Sequence, residues 1–357
     1  MTAGFEWPRL LVVVGAGGVG KTTLAAALGL LSARGGTDTL VMTFDPSHRL
    51  KDALGVGGEA GVETRVELGA GVAGRLDASL LDARRTFDGL VDRYAPEPAA
   101  RDRILGNRFY RHLAGGLAGI LEYMAVERLF EVWRDGEHER VVLDTPPTRQ
   151  ALDFLSAPRR MVSFLESGAV RVSTRRWFDE DGRLRGARAL GPLGRKFEEF
   201  LDDVVGLELL RDMAEFFQAF GPLYEGFRRR AQEVERLLVS RDTVFFLVAG
   251  AGEENVPDTL FFARKLGETG HHLGPVLVNR VHPRAAFEAD REAAASGDGE
   301  ALLAWLAERD GRGLEQLHTL LGLDRPLYHL PLLPEAPSEL ESLSRLADLL
   351  SERLRTA

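Results

Sequence analysis

From residue 12 to residue 28 the chain reads VVVGAGGVGKTTLAAAL: a β-branched run, a cluster of glycines, then Lys21, two threonines and an alanine-rich stretch. This order demands a strand, a tight loop and a helix in immediate succession. Gly15-xxxx-Gly20-Lys21-Thr22 matches GxxxxGK[ST], the pattern of a phosphate-binding loop. Glycines open backbone conformations closed to other residues, so successive amides can turn inward around an anion, and the following helix adds its positive end. The nucleotide-binding candidates are Gly15, Gly17, Gly18, Val19, Gly20, Lys21, Thr22 and Thr23. In this pattern Lys21 reaches the β and γ phosphates and the Thr22 hydroxyl is a ligand for Mg²⁺. Lysine at 21 is informative in itself, because the chain holds only four lysines against 41 arginines.

Near-continuous apolar runs at 10–14, 39–44, 140–143, 243–248, 275–278 and 328–333 alternate with helical stretches. They predict an α/β fold of the P-loop NTPase type: a doubly wound, mostly parallel sheet covered on both faces, with an inserted helical subdomain. The expected layout is one domain over 1–357. Its sheet core lies at about 1–78, 136–160 and 240–357, and its helical subdomain at about 79–135 and 161–239. In the first insertion Leu80, Phe87, Leu90 or Val91 and Tyr94 recur at helical spacing before Pro96 and Pro98. In the second, Leu223, Phe227, Ala231, Val234 and Leu238 form one stripe. A further stripe, Leu209, Leu210, Met213, Phe216, Phe217 and Phe220, suits either the insertion's own core or a groove for hydrophobic cargo; the core is the commoner use. The arginine- and glycine-rich stretch 171–196 reads as a solvated loop or as a lid, and the charged, alanine-rich stretch 284–320 as peripheral helix.

Composition narrows the function. A net charge of −9 argues against a nucleic-acid partner, and zero cysteines exclude disulfides, zinc or arsenite held by thiolates, and cysteine nucleophiles. Residues 1–10 lack a basic segment followed by an apolar core, and no run approaches the ~18 apolar residues of a membrane span, so a cytoplasmic location is expected. The histidines, including His48, His271, His272 and His282, are scattered, and no metal site is assigned to them.

Two aspartates follow strands. Asp45 opens DPSHRL and Asp144 opens DTPPT. Alone, each would more commonly cap a helix or form a turn. Beside a phosphate loop, at the carboxyl edge of a parallel sheet, they suit phosphoryl transfer: Asp144 anchors Mg²⁺, through its water, and Asp45 orients the attacking water as the catalytic residue.

With GAGGVGKTT, FDPSHRL, LDTPPT, VLVNRVHP (276–283) and PLLPE (331–335) in this order, the chain resembles the ArsA-like, or anion-transporting, ATPase family, which includes arsenite-pump ATPases and ATPases that deliver tail-anchored membrane proteins. The stretches LDARRTFD, EYMAVERL and TPPTRQALDFL make it similar to a bacterial subgroup of that family. The resemblance implies that Asp45 is the switch I aspartate, that Asp144 is the switch II aspartate, that Asn279 hydrogen-bonds adenine and that Pro331 and Leu332 pack against the base. It also implies ATP and Mg²⁺ as cofactors and a face-to-face dimer, homomeric or with a homologous ATPase. A hydrophobic or membrane-associated protein is the implied client. The family's signature lysine, which crosses to the partner's phosphates, is here Ala16. A partner's lysine, Arg49 or Arg149 could replace its charge, or hydrolysis could be slow. Gly252 and Glu253 stand where relatives place a base-contacting glutamate, and Gln150 where the tail-anchored-protein branch has histidine. The expected function is a Mg²⁺-dependent ATPase whose nucleotide state reshapes the helical subdomain. The alternative is a nucleotide-binding regulatory subunit with little hydrolysis, paired with a homologue that carries the lysine. DNA-partitioning ATPases, cluster-bearing reductases and small-molecule kinases fit less well.

Overall fold

The computed structural model describes residues 7–45, 47–69, 71–114, 120–166, 207–283, 299–322, 326–337 and 339–355. In chain order the first elements are β1 (Leu10–Gly15), α1 (Lys21–Arg34), β2 (Thr39–Thr43), α2 (Arg49–Ala53), β3 (Thr64–Arg65) and β4 (Leu76–Leu80). Helices α3 (Ala83–Tyr94), α4 (Pro98–Gly106), α5 (Arg108–Ala114) and α6 (Ile120–Asp135) precede β5 (Arg140–Asp144) and α7 (Thr148–Glu166). Then come α8 (Leu207–Phe220), α9 (Tyr224–Leu238), β6 (Thr243–Gly250), α10 (Val256–Glu268) and β7 (Leu273–Val281). The chain ends with α11 (Gly299–Leu321), β8 (Leu327–Pro331) and α12 (Leu340–Arg355). Two compact units result, one of Met1–Leu81, Val132–Leu152 and Arg236–Ala357, the other of Asp82–Glu131 and Asp153–Glu235.

Among the described residues the first unit holds one eight-stranded sheet in the order β3-β4-β2-β5-β1-β6-β7-β8. Every pairing is parallel except β3 with β4. Strand β1 lies at the centre, entirely buried, between β5 and β6. From β1 the chain passes to β2, goes out to the edge strand β3, comes back through β4 and inserts β5 beside β1, and then runs to the other side through β6, β7 and β8. The reversal places a crevice at the carboxyl end of β1, where an open α/β sheet receives ligands.

Helix α1 is buried on nearly every side because it lies between the sheet and α12. Leu24, Leu28 and Leu30 share one cluster with Leu11, Val13 and Val41 of the sheet and with Leu343, Leu346, Ala347, Leu350 and Leu354 of α12. Its alanines let the layers approach without bulk.

The sheet departs from the sequence expectation at its edge. Strands β3 and β4 are additional to the six runs, and Leu80, expected in a helix, is the last residue of β4. The reason is visible in LDASL: Asp77 and Ser79 interrupt the apolar run, yet both are buried. Asp77 accepts hydrogen bonds from Arg65 Nε at 2.7 Å and pairs with His138 Nε2 at 2.9 Å, which hold its carboxyl below the ordinary carboxylate range against the opposing effect of burial. Strand β2 ends at Thr43 rather than at Phe44, and β8 at Pro331 rather than 333. The stretch 171–196 lies outside the described residues, as does 284–298 of the expected peripheral helix; its remainder lies in α11.

The second unit is helical. Asp82 caps α3 by accepting from the Arg85 amide at 2.9 Å, and Pro98 opens α4 rather than merely ending α3. Phe87, Tyr110, Met124, Met161, Phe216, Phe220 and Phe227 fill one core. The ring centroids of Phe216 and Phe220 are 5.5 Å apart and those of Phe220 and Phe227 5.3 Å. Phe216 and Phe220 are therefore core residues; the side chains of Leu209 and Leu210 lie outside the description. No helix among the described residues is long and apolar enough to cross a membrane.

Because Leu350 is fully buried where α12 covers α1, Leu350→Ala should lower the unfolding free energy by about 2–5 kcal/mol, as read by urea denaturation.

Candidate functional site

Four strand ends meet the glycine loop. β1 ends at Gly15, whose missing side chain admits the Val248 carbonyl of β6: a Cβ there would lie 2.2 Å from that oxygen. At the other end of the loop Gly20 has a φ of 96° and lies against the amide of Asn279; a Cβ would fall 2.4 Å from Nδ2. No side chain caps α1, and no acid stands in its first turn. The amides at its start are therefore left without a side-chain partner from the helix itself.

Lys21, 7% exposed, turns back over the loop, and its Nζ donates to the Ala16 carbonyl at 2.8 Å. Burial pulls its ammonium below the ordinary lysine value, and the negative charges of Asp144 and Asp45 oppose this. Gly17 and Gly18 are exposed, Val19 is buried, and Thr22 and Thr23 are half-buried.

Asp144 is fully buried at the end of β5, in register with Val13 of β1 on one side and Thr43 of β2 on the other. Its Oδ2 accepts from the Thr22 hydroxyl at 2.8 Å and from the Thr43 hydroxyl at 2.9 Å. Thr43 Oγ1 in turn accepts from the Asp45 amide at 3.1 Å. One short chain of hydrogen bonds thus joins the glycine loop, the loop after β2 and the acid after β5. Burial pushes the Asp144 carboxyl up to about 6, against the two hydroxyls and Lys21, while Asp45 adds to the rise.

Among the described residues Asp144 Oδ1 has no hydrogen-bond partner although it is buried. An orphaned carboxylate oxygen in such a place is costly unless a cation or its water occupies the adjoining space. With the Thr22 oxygen beside it, the donor set is hard and oxygen-only, which fits Mg²⁺. Among the described residues no group of three or more His, Asp or Glu side chains is placed to hold a metal ion, so any cation here would draw most of its ligands from phosphate and water.

Asp45 is half-buried, and its Oδ1 accepts from the Ser47 amide at 2.9 Å, which shapes the loop after β2. Asn279 lies at the end of β7, and its Nδ2 donates to the Val19 carbonyl at 2.9 Å. Pro331 pairs with Val281, one strand over, and Leu332, 41% exposed, donates its amide to the Val281 carbonyl at 2.8 Å. Glu253 bonds instead with Arg312 and Gln316 of α11, each at 3.1 Å. Arg49 begins α2 and is exposed; the side chain of Arg149 lies outside the description. Gln150 is exposed, in the first turn of α7.

Sequence reasoning missed Thr43, Thr145 and Arg280. Thr145 donates to the Val13 carbonyl at 2.7 Å and fastens the loop after β5 to β1. Arg280 Nη1 donates to the Gly18 carbonyl at 3.3 Å. A polar residue closing an apolar strand was the available signal for Thr43; Arg280 had none.

The Asp144 carboxyl titrates higher in the fold than the 3.8 of an unperturbed aspartate. Its contribution to stability is therefore full below about pH 4 and is lost as pH rises through about 6. In nucleotide-free protein, Asp144→Asn should gain on the parent by about 1–3 kcal/mol between pH 4.5 and 7.5, as checked by urea unfolding at both. Thr43→Val, which removes one donor to the buried carboxylate, should cost about 1–3 kcal/mol at pH 7.5 in the same assay.

A family model described as anion-transporting ATPase matches residues 8–352. A protein of Aquifex aeolicus named as an arsenical pump-driving ATPase is 25% identical over 354 residues, 96% of this chain and 78% of its own. An uncharacterized protein of Streptomyces coelicolor is 31% identical over 279 residues, 77% of this chain and 63% of that one. The ATPase GET3 of Mycosarcoma maydis is 28% identical over 195 residues, 54% and 51% of the two chains. The matched stretch thus spans less than two thirds of the Streptomyces protein and about half of the Mycosarcoma one. The family match begins before β1, ends within α12 and takes in every strand end that builds the site: the chain belongs to the anion-transporting ATPase family.

Proposed function

We propose that the chain binds ATP with Mg²⁺ and hydrolyses it slowly, as a switch that works in a dimer with itself or with a homologous ATPase. The observation that carries this reading is the orphaned, buried Oδ1 of Asp144 beside the Thr22 hydroxyl, at the foot of an uncapped glycine loop. The loop amides and Lys21 would hold the β and γ phosphates, and Lys21 would exchange its bond to Ala16 for the anion. Thr22 and Asp144, the latter through water, would hold Mg²⁺, which when bound supplies positive charge against the phosphate oxygens. Asp45 would orient the attacking water. The water oxygen bonds to the γ phosphorus, the bond to the bridging oxygen breaks, and ADP and inorganic phosphate leave.

The hydrogen-bond chain from Thr22 through Asp144 and Thr43 to the Asp45 amide gives the switch a physical route. A change of ligand at Thr22 or Asp144 alters what Thr43 donates to, and so the anchoring of the loop after β2. Adenine would lie near Asn279, Pro331 and Leu332. A cytoplasmic location goes with this reading. A hydrophobic client does not rest on Phe216 and Phe220, whose rings are buried in their own unit.

Ala16 favours a second reading, a nucleotide-binding subunit with negligible turnover. Its side chain donates nothing, and its carbonyl is already the acceptor for Lys21. If the missing cation is worth what trans-acting arginines are worth, turnover is lower by about 10³–10⁵-fold.

Phosphate release and ATP calorimetry separate the cases. Lys21→Ala should abolish measurable ATP binding. Asp45→Asn should keep binding and lower phosphate release by about 10²–10⁴-fold. Release by the parent no higher than by Asp45→Asn, with binding intact, would favour the second reading; a Lys21→Ala protein that binds ATP normally would overturn both.

A further inference from the structure

Arg280 is the one non-glycine residue with positive φ among the described residues, at 59°. An arginine gains nothing locally from that conformation, since its Cβ crowds the backbone and its side chain is too long for the short-range bonds that excuse asparagine there. The pairing of β7 with β8 also shifts register between Val278 and Val281, around this residue. Such an irregularity re-aims a side chain.

What is re-aimed can be named. Along a regular strand, neighbours 279 and 280 would point to opposite faces. Here both reach the glycine loop: Asn279 Nδ2 donates to the Val19 carbonyl at 2.9 Å, and Arg280 Nη1 to the Gly18 carbonyl at 3.3 Å. These are carbonyls of consecutive loop residues. Where a loop turns its amides towards an anion, the carbonyls of the same peptides must face outward. Donors that hold those carbonyls fix the peptide planes in the receptive sense.

We propose that Arg280 is a positioning residue of the phosphate loop: its left-handed backbone places the guanidinium on the Gly18 carbonyl and presets the loop crest for a polyphosphate. The proposal deepens the nucleotide-binding reading and rests on it. Arg280 carries out this task from outside the loop. Strain at Arg280 and order at Gly18 are two sides of one arrangement.

Calorimetry on the full chain tests this with ATP and with inorganic triphosphate, which has neither base nor ribose. Arg280→Asn keeps a residue that tolerates positive φ but removes the reach to Gly18. It should weaken ATP and triphosphate by the same factor, about three- to tenfold, while the melting temperature of the nucleotide-free protein stays level or rises. Arg280→Lys should recover part of the affinity. The proposal is overturned if Arg280→Asn binds both ligands as tightly as the parent while Lys21→Ala does not. It is equally overturned if ATP alone is weakened, which would indicate a base or ribose contact, or if affinity and melting temperature fall together. Should Lys21→Ala itself bind like the parent, the nucleotide reading fails and the clamp with it.

Discussion

The arrangement around the glycine loop depends on one buried carboxylate. Asp144 sits where three parallel strands end side by side, and it can be there only because Thr22 and Thr43 donate to the same oxygen. Its burial on the central strands pushes its carboxyl up to about 6, and among the described residues Oδ1 has no partner. Such a group is poorly placed for stability and well placed for a cation. Natural sheets rarely end in an unsatisfied acid unless something else completes it.

The helical unit carries a similar tension for a different end. Arg230 and Glu127 form a pair at 2.6 Å, almost wholly buried, with Arg230 also over the ring of Tyr94. Burial raises the Glu127 carboxyl to about 7, although Arg230 opposes the rise. A buried pair of this kind contributes less stability than its short distance suggests, because both ions lose their water. Its geometric demand is nonetheless strict: Arg230 of α9 and Glu127 of α6 fit together in few ways. The same unit buries a cluster of aromatic and aliphatic side chains, whose burial stabilises it without that cost.

Family membership and local chemistry inform different levels. The match over 8–352 accounts for the sheet and for the glycine loop. Two side chains hold carbonyls of that loop: Lys21 donates to Ala16 from the start of α1, and Arg280 of β7 places its guanidinium against Gly18.

Much of the site could be read from local pattern because its parts are local. Gly15, Gly20, Lys21 and Thr22 lie within eight residues, and their spacing alone dictates strand, turn and helix. The six apolar runs were legible because buried parallel strands need continuous apolar residues. Strand β4 was not, since its Asp77 is acceptable only with Arg65 and His138 beside it, and both come from elsewhere in the chain. Thr43, Asp144 and Thr22 become one unit only through the strand order, which inserts β5 between β2 and β1. Arg280 faces Gly18 across more than 260 residues of chain, beside a register shift that no periodicity announces. What the sequence determined by itself were the elements and the chemistry each one carries, because those follow from neighbours along the chain. Which of those groups meet was decided by the tertiary structure, because hydrogen bonds act over about 3 Å of space however far apart the partners lie in sequence.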